Sequence, residues 1–120
     1  MKKETLKQTI STWISEIDQA ETLPADISAL NFGLYEPYGI ELIGAEAYDP
    51  EDDDWACEED FVLEKRSCKL DLDSSIGWEE VQGVVHEILT ELVAERKDIK
   101  LFSAAHITTG FCDGELIVVK

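Results

Sequence analysis

Two histidines, His86 and His106, are the only imidazoles that this chain offers for general-base or nucleophile-activating chemistry. His86 lies beside the apolar stripe of a predicted helix and His106 lies in a strand pattern, so a structural role is favoured for both. Cys112 could meet His106 across a hairpin, but residue type alone supports that pair. The sequence contains no recognisable catalytic set, and we expect a protein that binds a partner rather than an enzyme.

The most distinctive feature is a run of twelve residues, 49–60, that contains eight carboxylates. We call it the acidic segment. Self-repulsion at this density disfavours a regular element, so an exposed loop is predicted. Its carboxylates and its tryptophan are our candidate partner-binding residues: Asp49, Glu51, Asp52, Asp53, Asp54, Trp55, Glu58, Glu59 and Asp60.

Carboxylate oxygens also suit calcium and magnesium. The known calcium loop needs oxygen ligands at alternate positions, a central glycine and a closing glutamate. Asp52, Asp53 and Asp54 are consecutive, however, and the acidic segment has no glycine. We expect neither a metal site nor a cofactor. The alternative to a binding function is a small metal-binding protein or enzyme that uses the acidic segment, or a housekeeping protein of another role.

Trp55 has two interpretations. A tryptophan within an acidic run either folds back and pins the loop to the core, or stands exposed as an anchor for another protein. Pinning is slightly favoured, and the two roles are compatible because a pinned loop presents its carboxylates in a fixed array.

The formal net charge is −17, and it is unevenly distributed. Residues 1–60 carry 16 acids against 3 bases, whereas residues 61–120 carry 11 against 7. Such a field repels nucleic acid and anionic membrane and steers a cationic protein toward the surface. A role in solubility alone is the competing explanation.

The length of 120 residues fits a single domain. No run of about eighteen apolar residues occurs and the first residues do not resemble a signal peptide, which predicts a cytoplasmic protein. Three cysteines without a Cys-x-x-Cys pair favour reduced, packed thiols over disulfides or zinc. The oligomeric state stays open.

Periodicity predicts the elements. Apolar residues at helical spacing predict a helix over about 4–21, and two adjacent strands, expected to be antiparallel, follow within 30–48 on either side of Pro37. Phe61-Val-Leu and the alternation over 68–73 suggest a third strand, interrupted near Lys65-Arg66.

Ser74 and Ser75 are N-cap candidates for a second helix that ends near Lys97. Its expected buried stripe is Trp78, Val81, Val85, Ile88, Leu89 and Leu92. Asp113-Gly114 between two strand-like runs predicts a C-terminal hairpin with a type I′ turn. The expected fold is α+β, with a mostly antiparallel sheet, two amphipathic helices on one face and this C-terminal β-hairpin.

Three segments together resemble a known kind of bacterial protein: Tyr38-Gly-Ile-Glu-Leu-Ile-Gly, Asp53-Asp-Trp-Ala-Cys and Gly110-Phe-Cys-Asp-Gly-Glu-Leu. They are similar to segments of the acidic α+β immunity proteins of polymorphic or contact-dependent toxin systems. The resemblance covers less than a quarter of the chain. It implies a cytoplasmic antitoxin that occludes a toxin domain, often a nuclease, and it carries over no active-site residues.

Overall fold

The computed structural model describes residues 3–49, 51, 55–56, 60–61, 67–111 and 116–120. These residues form two α-helices and a five-stranded sheet, so the α+β class is confirmed. The elements in chain order are α1 (Lys3–Ala20), β1 (Ala29–Tyr35), β2 (Gly39–Ala45), β3 (Ser67–Lys69), α2 (Trp78–Glu95), a 3-10 turn (Lys100–Ser103), β4 (His106–Phe111) and β5 (Ile117–Val118).

The sheet has the strand order β3-β2-β1-β4-β5. Three of its pairings are antiparallel, which confirms a mostly antiparallel sheet, and the expected pairing of the first two strands is among them. The central pair, β1 with β4, is parallel, with Ala29 opposite His106 and Leu34 opposite Phe111. The two central strands therefore run in the same direction.

Both helices contribute their apolar stripes to one buried cluster. α1 buries Leu6, Ile10, Trp13, Ile14 and Ile17, and α2 buries Val81, Val85, Ile88, Leu89 and Leu92. Leu30, Phe32 and Leu34 of β1 belong to the same cluster, and Phe32 meets the Trp13 ring edge-on at 6.2 Å. Because side chains alternate along a strand, Ala29 and Asn31 lie on the other face of β1.

The start of α2 differs from the prediction. The N-cap is Gly77, and no side chain caps the helix. Ser75 instead lies in a turn, where its backbone N–H donates to Asp73 Oδ1 at 2.9 Å. Trp78, expected in the buried stripe, is 47% exposed. As the first residue of α2 it lies beyond the core, and its ring meets only the edge of Phe111 among the described aromatic rings.

Of the predicted third strand, Ser67–Lys69 pairs with β2 as β3, Phe61 forms an isolated bridge with Gly44 of β2, and residues 70–73 are not in a strand; residues 62–66 lie outside the described part of the chain. Beyond β3, Leu70 N–H still donates to Tyr38 O at 3.0 Å. The strands β4 and β5 pair antiparallel, but Asp113-Gly114 lies outside the described residues, so its turn type stays a prediction. No helix in the described part of the chain is long and apolar enough to cross a membrane.

Candidate functional site

The structure describes four of the nine predicted partner-binding residues. Asp49, Glu51 and Asp60 are exposed, as a loop of carboxylates should be. Trp55 is buried, with 4% of its surface accessible. The remaining five, Asp52, Asp53, Asp54, Glu58 and Glu59, lie outside the described residues, and their role stays a prediction.

Hydrogen bonds fasten the end of the acidic segment to the end of β2. Asp60 donates its backbone N–H to Gly44 O at 3.0 Å, and its Oδ2 accepts the N–H of Glu46 at 3.0 Å. The next residue, Phe61, is buried and forms a β-bridge with Gly44. The segment thus ends beside the residues that precede it in the chain.

Gly44 is required for this closure. A Cβ atom at that position would lie 2.8 Å from Phe61 Cβ, closer than real carbon atoms approach, and 3.2 Å from Ile27 Cγ2. Only a residue without a side chain allows the Phe61 ring to pack here. The glycine therefore fixes the route by which the chain leaves the acidic segment.

Trp55 anchors the middle of the segment in a second, smaller cluster. It packs with Ala29 and Ala45, both completely buried, and its ring meets that of Tyr48 edge-on at 5.1 Å. Ala29 and Ala45 are opposite each other on β1 and β2, so their side chains share one sheet face. Their small size leaves the room that the indole occupies. Trp55 therefore folds back onto the core instead of standing exposed, which is the first of its two interpretations.

His106 extends this cluster across the sheet. It lies opposite Ala29 in the parallel pair, and the Tyr48 ring stacks on its imidazole with 3.9 Å between centroids and 10° between planes. Neither Tyr48 nor the Ala29–Ala45 pair was predicted from the sequence as part of the site. Tyr48 directly precedes the acidic segment, and an aromatic residue at that position could have indicated a packing partner for Trp55.

Neither histidine meets a nucleophile within the described residues. His86 Nε2 lies 2.9 Å from Val118 O and so joins α2 to the edge strand β5, while His106 stacks on Tyr48. Cys112 and Cys57 lie outside the described residues. Cys68 is a free, half-buried thiol whose pKa burial raises, which makes it a weaker nucleophile at neutral pH.

The basic residues of the helices are held in ion pairs between α1 and α2. Lys3 Nζ lies 2.6 Å from Glu87 and 2.5 Å from Glu91, and Lys7 Nζ lies 2.9 Å from Glu91 and 3.0 Å from Glu95. Hydrogen bonds from Lys3, and next from Lys7, lower the pKa of the Glu91 carboxyl.

Arg96 is engaged in the same way at the end of α2. Its guanidinium forms two hydrogen bonds of 3.0 Å with Asp98, and it also donates to the hydroxyls of Ser11 and Ser15 on α1. The hydrogen bond to Asp98 raises the pKa of Arg96 further. These cations therefore neutralise carboxylates of the helix pair, and the described carboxylates of the acidic segment have no ion pair with a described cation.

Among the described residues, no group of three or more histidine, cysteine, aspartate or glutamate side chains could hold a metal ion. Most carboxylates of the acidic segment lie outside that part of the chain. No family model, curated protein or solved structure matches this chain.

Proposed function

We propose that this protein binds and inhibits a cationic protein, as an immunity protein neutralises the toxin domain of its own cell. The observation that carries the proposal is the attachment of the acidic segment. Trp55 buries its indole against Ala29 and Ala45, and Asp60 closes the segment onto Glu46. The exposed carboxylates of Asp49, Glu51 and Asp60 are thus presented from a fixed base.

A fixed base matters because binding must offset the ordering of the groups that bind. Each mobile side chain or loop residue that becomes immobile on association costs free energy, and a loop already attached to the core loses less. The carboxylates then act in two ways. They accelerate encounter with a basic surface through long-range attraction, and a few close pairs slow dissociation.

The two helices, we further propose, share one face of the sheet, and the acidic segment lies across the other. Alternation along β1 supports this arrangement, since Leu30 and Phe32 belong to the helix cluster and Ala29 belongs to the Trp55 cluster. We also propose that the antiparallel strands β4 and β5 form the predicted C-terminal hairpin, with its turn at Asp113-Gly114. The helices would then stabilise the domain while the other face recognises the partner.

The partner we expect is a toxin domain with a basic surface, such as a nuclease, in the cytoplasm. Nucleases bind phosphates through cationic surfaces, and an acidic protein of net charge −17 can cover such a surface. The same charge opposes binding to nucleic acid or to anionic membranes. Occlusion needs no catalytic residue in this chain.

The test is an inhibition assay with the toxin domain encoded beside the gene. An equimolar amount of this protein should abolish the toxin's activity, and calorimetry should give a one-to-one complex whose affinity falls with salt. A toxin that stays fully active in excess inhibitor would overturn the proposal. Micromolar binding of calcium or magnesium in a parallel titration would favour the metal-binding alternative.

A further inference from the structure

Trp78 is the most unusual exposed side chain in the described part of the chain. It is 47% exposed, whereas the two other tryptophans, Trp13 and Trp55, are 6% and 4% exposed. An exposed tryptophan leaves a large apolar surface in water, and tryptophan is the residue most enriched at the centres of protein interfaces. Its exposure therefore points to a contact with another molecule.

This tryptophan lies far from Trp55. Trp55 packs at the Ala29 end of β1, whereas Trp78 touches Phe111, which is opposite Leu34 near the other end. Five residue steps of about 3.3 Å each separate those two positions on β1, or roughly 17 Å. Trp78 therefore belongs to a surface separate from the Trp55 cluster.

The Trp78 indole is held by a packed aromatic set. Its ring meets Phe111 edge-on at 6.0 Å, and Phe111 meets Tyr38 edge-on at 6.2 Å. The Tyr38 hydroxyl in turn donates a hydrogen bond to Ile76 O, in the turn before α2. A tryptophan on the first turn of a helix, supported in this way, is preorganised to receive a partner.

Four carboxylates lie on the chain segments next to this aromatic set. Glu79 and Glu80 follow Trp78 in α2, Glu36 lies in the turn beside Tyr38, and Asp71 follows Leu70, whose N–H donates to Tyr38 O; all four are exposed. No ion pair with another described residue neutralises any of them. The helix N-terminus carries about half a positive charge, and the exposed Lys69, opposite Gly39, adds one more. Four carboxylates outweigh these positive charges, so the surface attracts cations.

We propose that Trp78, Glu36, Asp71, Glu79 and Glu80 form a docking surface for an arginine-bearing segment of a basic protein. A guanidinium can stack flat on the indole while its N–H groups donate to the neighbouring carboxylates. Lysine fits less well, because its ammonium is compact, strongly hydrated and without a planar face. The inference rests on the proposed function only in expecting a cationic protein partner.

The probe is a six-residue arginine peptide, titrated into ¹⁵N-labelled protein at low salt. The chain has three tryptophans and hence three indole N–H resonances, one for each site. We expect the Trp78 resonance to shift to saturation while the Trp13 and Trp55 resonances stay in place. A six-residue lysine peptide should bind at least about threefold more weakly, because its ammonium groups cannot stack on the indole.

Two variants make the test specific. Trp78→Ala should weaken arginine-peptide binding by about five- to tenfold. Val118→Ala is the matched control, since Val118 is the other large exposed apolar side chain in the described residues, at 58%, and it should leave binding unchanged. Glu79→Gln with Glu80→Gln should weaken binding and flatten its salt dependence.

The outcomes separate this surface from the acidic segment. Shifts confined to Trp55 would place the peptide on the acidic segment, which overturns this inference and leaves the proposed function standing. An absence of shifts at all three indoles, or equal affinities for the Trp78→Ala protein and the wild type, would also overturn it. Unchanged peptide affinity after neutralising Asp52, Asp53 and Asp54 would support it.

Discussion

Replacing Trp55 by alanine tests whether the acidic segment is attached through its indole. A tryptophan that is 4% exposed removes about 200 Å² from water. At about 25 cal/mol per Å² this is an upper bound of ~5 kcal/mol. Tyr48 and Leu116 in the same cluster are only partly buried, so part of the cavity can close or fill with water. We therefore expect a loss of about 2–4 kcal/mol.

Urea unfolding followed by circular dichroism measures this loss. The midpoint should fall while the slope stays the same, because the variant exposes a similar surface on unfolding. At about 4 °C for each kcal/mol in a chain of this size, the melting temperature should drop by about 8–16 °C.

Trp78→Ala is the matched control, because the same residue type is removed from a site that is 47% exposed. Because Trp78 buries about half as much surface as Trp55, its replacement should cost about half as much stability as Trp55→Ala. Equal losses at the two positions would refute the reasoning, since burial of the indole would then not decide its contribution.

Three further perturbations follow from the structure. Gly44→Ala should destabilise the protein by about 1–3 kcal/mol in urea unfolding, because the new methyl group would collide with Phe61; an unchanged midpoint would contradict the closure described here. The stability difference between wild type and Glu91→Gln should be fully present at pH 7 and shrink as the pH falls below about 4, the ordinary pKa range of a glutamate in an unfolded chain. Hydrogen bonds from Lys3 and then from Lys7 lower the pKa of Glu91 in the fold, so its contribution is lost as the pH falls through that lowered pKa, and a difference that did not shrink in acid would be inconsistent with this linkage. Sodium chloride at about 0.5 M should raise the melting temperature, because it screens a net charge of −17, whereas the ion pairs of Lys3 and Lys7 lie at the surface and contribute little stability for salt to weaken. A melting temperature raised only by calcium or magnesium at matched ionic strength would point to a metal site instead.

Local patterns in the sequence predicted most elements. α1 and α2 repeat apolar residues at helical spacing, and Pro37 separates two runs of strand-forming residues, so these elements follow from chemistry within a few residues. The prediction that Ser74 or Ser75 caps α2 was wrong, because Ser75 has a competing local hydrogen-bond partner in Asp73 and the helix begins after Gly77. Trp78 fits the helical stripe by spacing, but spacing does not show where the sheet beneath the helix ends.

Contacts between residues far apart in the chain could not be predicted from local sequence patterns. The parallel pairing of β1 with β4 joins residues 77 positions apart, such as Ala29 and His106, and no local pattern encodes it. The same pairing places His106 beside Ala29, where Tyr48 stacks on it, whereas the Ala29–Ala45 pair that receives Trp55 comes from the antiparallel pairing of β1 with β2. The composition of the acidic segment therefore marked the candidate site, whereas its attachment depended on which strands meet.

The most direct test of the central claim is stopped-flow association with the basic toxin domain across a salt series. One variant carries asparagine at Asp52, Asp53 and Asp54. A control variant carries Glu4→Gln, Glu21→Gln and Asp26→Asn in and after α1. Both triple variants change the net charge by the same amount, from −17 to −14.

If the acidic segment recognises the partner, the first variant should associate more slowly at low salt and with a shallower salt dependence than the control. Association rates that are the same for wild type, variant and control at low salt would contradict the claim that the acidic segment is the binding site.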